Sequence, residues 1–145
     1  MAEAILNDRS KGRIRAESAG SRPAARVNPH AIETLREHGI EWKGHPPQSV
    51  EGLENEKWDF VITVCDRAKE SCPVFPGQPV FAHWGMEDPA DAVGEGAAKK
   101  AFQAAYLVLA RRIDLLLALP VEKLERLPLQ AKVRAIGAAD QVISP

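Results

Sequence analysis

The segment Asp59-Phe-Val-Ile-Thr-Val-Cys65-Asp-Arg-Ala-Lys-Glu-Ser-Cys72-Pro-Val-Phe-Pro-Gly77 decides how the chain is read. Its first residues, β-branched and aromatic, read as a buried strand that ends at a thiol. Open α/β sheets place their ligands at the carboxyl ends of strands. A second thiol a short loop away can reach the first if the loop brings the Cα atoms within roughly 7 Å. Cys65 and Cys72 are the chain's 2 cysteines, too few for a disulfide-stapled secreted fold, so catalysis or redox work leads. The alternative is a buried Cys65 acting as a small apolar residue, with Cys72 an unrelated loop thiol.

The 145 residues are 45% hydrophobic and 27% charged, which suits one globular domain with an ordinary core. The 19 basic and 20 acidic residues nearly cancel, so neither nucleic acid nor an anionic membrane is expected as the main partner. The longest apolar stretches, 104–110 and 115–121, are too short to span a bilayer. Glu3 and Asp8 sit where a signal peptide would be basic and then apolar. A cytoplasmic, reducing location is therefore expected, where a cysteine pair suits transient chemistry better than structure.

Residues 1–8 contain good helix formers without an N-cap and read as a helix already in progress. Residues 13–18 alternate Ile14, Ala16 and Ser18 against Arg13, Arg15 and Glu17, which predicts a strand. Asn28-Pro29 followed by Ala31, Ile32, Leu35 and His38 predicts a helix closed by Gly39 at C′. A helical turn is expected over 49–53, and strands over 60–64 and 79–82, the second leading into His83-Trp84-Gly85. A long helix over 97–119 carries Phe102, Tyr106, Leu109, Ile113 and Leu116 at three-and-four spacing and stops at Pro120. A last, weakly specified helix is expected over 127–137. Strands alternating with helices indicate an α/β fold, an open parallel sheet with helices on both faces.

Asp88-Pro89 lies shortly after the second strand, where a carboxylate can serve as a general acid. Taken alone, an Asx or N-cap role before a turn is the better reading of that dipeptide. His83 reads as a structural histidine. Cys65, Cys72 and His83 lack the paired Cys-x-x-Cys spacing of zinc sites, so no metal is expected. Arg111 and Arg112, beside Asp114, read as a solvated helix face.

Several short stretches together resemble the arsenate reductases built on the low-molecular-weight tyrosine phosphatase fold. They are Met1-Ala-Glu-Ala4, Ser18-Ala-Gly20, Val27-Asn-Pro-His-Ala-Ile32, Asp59-Phe-Val-Ile-Thr-Val-Cys65, Cys72-Pro73, His83-Trp-Gly85 and Asp88-Pro89, in family order. The resemblance implies a phosphatase-like domain over 1–124 and a C-terminal extension over 125–145. It also implies three thiols in relay. A cysteine in a phosphate-binding loop attacks arsenate; a second, matching Cys65, attacks the thiol–arsenic adduct and releases arsenite. The third, matching Cys72, takes up the disulfide and presents it to thioredoxin. Asp88 matches the general acid, and Glu3 and Ser18 match positions that hold a monovalent cation in some relatives, with Gln48 where an acid would stand. No bound cofactor is implied. The expected partners are arsenate or another small oxyanion and a thioredoxin-type reductant, with no nucleic acid and no membrane.

In that family the phosphate-binding loop, a cysteine followed after five residues by Arg-Ser, ends the first strand, and Met-Ala-Glu-Ala follows almost at once. Here Met-Ala-Glu-Ala is residues 1–4. The resemblance therefore implies a truncated domain without the first and central strand, the nucleophile and the oxyanion-binding arginine, and so an inactive one. A gap or distorted contact is expected between the strands at 13–18 and 60–64, with residues 1–8 poorly anchored. Two alternatives stand beside this reading. A tyrosine phosphatase has no use for a Cys65–Cys72 pair, and Ala90 stands where many such enzymes have an aromatic residue. The other is a non-catalytic remnant or thiol-switch binding protein.

Overall fold

The computed structural model describes residues 1–20, 23–65 and 73–143, with 139–143 as helix backbone alone. Its elements are α1 (Ala2–Ser10), α2 (Pro29–Glu37), β1 (Phe60–Thr63), β2 (Val80–His83), α3 (Glu95–Leu117) and α4 (Arg126–Ile143), with 3-10 turns at Leu53–Asn55 and Pro89–Asp91. β1 and β2 pair in parallel, Phe60 opposite Val80 through Thr63 opposite His83. This is an α/β fold with a parallel sheet and helices, and the sheet has two strands among the described residues. No helix among those residues is long and apolar enough to cross a membrane.

The helices follow their sequence signals. In α2 the Asn28 side chain accepts a hydrogen bond from His30 N at 2.9 Å, Pro29 occupies the first turn, and Gly39 takes φ +80° just past the end. Phe102, Tyr106, Leu109, Ile113 and Leu116 are all buried along α3, which packs against α1, α2 and α4. The helix at the C-terminus runs farther than the expected 127–137, and its Leu129, Val133 and Ile136 belong to the same core as α1 and α3. The first strand begins where expected and ends one residue early, and the second is shifted one residue along the chain.

Two expectations are corrected. Residues 13–18 form no strand; only a single parallel bridge joins Gly20 to Ser49 just beyond them. Their period-two alternation is real, but side chains take the bonds a neighbouring strand would make. Ser10 Oγ donates to Ile14 O, Asn7 bonds both the N–H and C=O of Ala16, and Ser18 is held by Glu3 through its N–H and by Gln48 through its C=O. The N-terminus is not poorly anchored either. Ile5 is fully enclosed in the core, and Arg9 grips both oxygens of Asp114 on α3 at 2.6 Å. The apolar side chain of Ile5 finds α3 directly, so α1 packs without a strand beneath it.

Candidate functional site

The carboxyl ends of β1 and β2 gather most of the residues to which the sequence pointed. Cys65 lies two residues past β1, half-buried and with a free thiol. Cys72 lies outside the described residues. Asp88 is exposed, and its Oδ1 accepts from Ala90 N at 2.9 Å, capping the Pro89–Asp91 turn. That is the Asx role expected of an Asp-Pro pair, and it fixes the carboxylate at the start of a turn packed on α3.

The ladder between the strands ends in a bulge. Trp84 N donates to Thr63 O at 2.7 Å, and the next bond runs from Met86 N to Val64 O at 3.2 Å. Two residues of the second strand thus advance against one of the first, and such bulges re-aim side chains where pairing stops. At this point Thr63 Oγ1 and His83 Nδ1 stand 2.7 Å apart. The imidazole extends over the backbone of Gly85, with Nε2 2.8 Å from where a Cβ on that glycine would stand.

Behind the bulge the backbone is clamped by two helices. Arg112 on α3 is 2% exposed, against the solvated face expected for it, and its guanidinium donates to Trp84 O at 2.8 Å and Gly85 O at 3.3 Å. From α4, Val133 O accepts from Trp84 Nε1 at 3.0 Å, and Gly137 lies against His83 O and the Trp84 ring. The sequence held a signal for Arg112: Ala105, Leu109, Arg112 and Leu116 follow the same four-three-four spacing as the buried stripe. Arg111, one position earlier, is exposed as expected.

Glu3, Ser18 and Gln48 also come together, in a polar cluster between α1 and the loop after α2. Glu3 is 8% exposed, and its Oε1 accepts from Ser18 N at 2.6 Å and Ser18 Oγ at 2.9 Å. The same oxygen faces His45 Nε2 at 3.0 Å, so an imidazole stands against the carboxylate. The Pro46 carbonyl and then Glu3 push the His45 imidazole above its ordinary value.

Residues 1–124 match the family model described as low molecular weight phosphotyrosine protein phosphatase. An arsenate reductase of Staphylococcus xylosus is 38% identical over 64 residues, 44% of this chain and 49% of that protein. One from Oceanobacillus iheyensis is 40% identical over 68 residues, 47% of this chain and 49% of that protein. These alignments take in about half the length of the relatives. Among solved structures, an arsenate reductase in the oxidized state matches with a TM-score of 0.65 at 24% identity, over 91% of this chain and 86% of that one. Another in the reduced state matches with a TM-score of 0.60 at 28% identity, over 81% and 85%.

Proposed function

The chain belongs to the low molecular weight phosphotyrosine protein phosphatase family, and we propose that it acts in arsenate reduction, carrying the disulfide half of a thiol relay. On this reading Cys65 attacks the sulfur of a thiol–arsenic adduct. A sulfur–sulfur bond forms, the sulfur–arsenic bond breaks, and its electron pair stays on arsenic, which leaves as arsenite. Cys72 then attacks Cys65, displacing the first thiol, and a thioredoxin-type reductant reduces the Cys65–Cys72 disulfide. Asp88 supplies the proton for the leaving oxygen. No bound cofactor is needed, because the electrons arrive through thiols. The observation that carries the reading is a free, half-buried Cys65 at the carboxyl end of a parallel strand.

The relay also needs a first thiol and an arginine to hold the oxyanion. Neither cysteine here has an arginine six positions on, since Ser71 and Gln78 stand there. On this reading both groups come from outside these 145 residues. Mild oxidation followed by peptide mass mapping should give an intramolecular Cys65–Cys72 bond that thioredoxin reduces. Free thiols alone, or intermolecular dimers alone, would overturn the proposal. Arsenate reduction by the isolated chain, abolished by Cys65→Ser, would overturn the need for an outside thiol.

A further inference from the structure

We infer that His45 closes the polar cluster around Glu3 from within the chain, its imidazole standing where a monovalent cation would sit, so that this cluster takes no alkali cation. Glu3 and Ser18 match positions that hold such a cation in some relatives, and the residues gathered here do not fit one. The inference is independent of the thiol relay.

Three observations carry it. First, the oxygens that an ion would need are already taken. An alkali cation is held by several oxygens that replace its hydration shell. Glu3 Oε1 accepts from Ser18 N at 2.6 Å and from Ser18 Oγ at 2.9 Å, and it faces His45 Nε2 at 3.0 Å. The Ser18 carbonyl accepts from Gln48 Nε2 at 3.0 Å, and the Pro46 carbonyl lies 2.6 Å from His45 Nδ1. Gln48 thus supplies a donor where a carboxylate would supply an oxygen and a charge.

Second, His45 brings the positive charge itself. Its ring nitrogens face a carboxylate and a backbone carbonyl, groups that only accept. A neutral imidazole has one N–H and would set a lone pair against one of them, whereas the imidazolium satisfies both. Glu3 is 8% exposed, and a carboxylate so enclosed needs a positive partner. One imidazolium against that carboxylate leaves no net charge to attract a further cation. Glu17, a second carboxylate that acts on His45, is paired with Arg15 at 2.8 Å.

Third, the imidazole is held in place. The Trp42 ring stands 6.0 Å from it, edge to face at 73°, and packs against the core. The backbone of Gly44 lies so close to the Trp42 ring that any Cβ there would collide with it. Pro46 restricts His45 to extended backbone. The same histidine ties α1 to the loop that carries the Gly20–Ser49 bridge, where Gly20 N donates to Gln48 O at 3.0 Å and Val50 N to Gly20 O at 3.1 Å. A joint that an ion would brace is braced by a side chain.

Thermal unfolding of the whole chain tests this at about pH 6, below the ordinary histidine value. Parent and His45→Gln are each measured in potassium chloride and in choline chloride of equal ionic strength, choline being too large for the cluster. The parent midpoint should agree between the two salts to within about one degree. His45→Gln leaves the Glu3 carboxylate without its cation, so potassium should raise that midpoint by about 2–4 °C over choline.

A parent that responds to potassium as strongly as His45→Gln overturns the inference. So does a folded His45→Gln that is indifferent to potassium, because the imidazole then stands in no ion's place. If His45→Gln fails to fold, the His45 ring nitrogens of the parent decide, read by NMR at the same pH. Both should carry protons and stay unchanged when potassium is added. A single protonated nitrogen, or an Nε2 proton displaced by potassium, overturns the inference equally.

Discussion

Replacing Gly137 by alanine sets two opposing effects against each other, and the structure decides the sign. Gly137 lies inside α4, where glycine costs about 0.8–1.0 kcal/mol relative to alanine, so propensity alone predicts stabilisation. A Cβ there, however, would meet Trp84 Cδ1 at 2.8 Å, His83 O at 2.9 Å and Trp84 Cα at 3.3 Å. Two of those partners are backbone atoms and cannot swing away. To restore ordinary contact the helix must retreat by about half an ångström. That loosens the bonds from Val133 O to Trp84 and from Gln130 and Arg134 to Phe81. Overpacking of this kind costs about 1–3 kcal/mol, so the propensity gain is cancelled and the net expectation is a loss of up to about 2 kcal/mol. Gly96 in α3 is the control, because a Cβ there meets nothing within 4 Å. Gly96→Ala should stabilise by up to about 1 kcal/mol. Urea unfolding followed by tryptophan fluorescence measures both. A Gly137→Ala protein stabilised as much as Gly96→Ala would refute the close approach of α4 to the end of the second strand.

Arg112→Leu should destabilise by about 3 kcal/mol or more, because the buried carbonyls of Trp84 and Gly85 lose a charged donor; a thermal midpoint within a degree of the parent would contradict this. The Arg13 guanidinium holds the Glu122 carboxyl down at about 2, below its ordinary 4.5. A lowered carboxylate stabilises above its unfolded value, so that contribution should fade as pH falls from 4.5 toward 2. Glu122→Gln should flatten the urea midpoint across that range. His45 is raised, so its contribution is complete below its ordinary value and fades as pH rises through the folded one. His45→Gln should remove a small loss of thermal stability between about pH 6 and pH 8, and a pH dependence identical to the parent's would exclude the Glu3–His45 contact as its source.

Local signals were legible where local physics decides. The Asn28-Pro29 cap, the Gly39 stop and the apolar stripe of α3 each depend on neighbours within one or two turns, and each stands as the sequence implies. The strand expected at 13–18 failed for a reason no alternation pattern contains. Asn7, Glu3 and Ser10 lie on a helix that precedes it, and their side chains capture its backbone. Alternation records which faces differ in polarity, but it does not name the partner. Arg112 was misread through its charge, although its place in the stripe was visible. The Thr63–His83 contact was out of reach, since it exists only through a register set by residues 20 apart.

That register depends on the last helix. Two parallel strands of four residues are a marginal sheet, and the outer edge of β2 would leave the N–H and C=O of Phe81 facing water. Instead Gln130 Oε1 accepts from Phe81 N at 3.0 Å, and Arg134 Nε donates to Phe81 O at 2.9 Å. Arg126 Nε donates to Gln78 O at 2.7 Å one turn earlier. Arg126, Gln130 and Arg134 are four apart, so one polar row of α4 stands where a neighbouring strand would be, while Val133 beside it is fully buried. No described strand pairs with the far side of β1. The two sides of the sheet thus differ in how they are held. The second strand is fixed by α3 and α4, and with it His83, Gly85 and the turn to Asp88. The first strand, which leads into Cys65, has the second as its one sheet neighbour among the described residues.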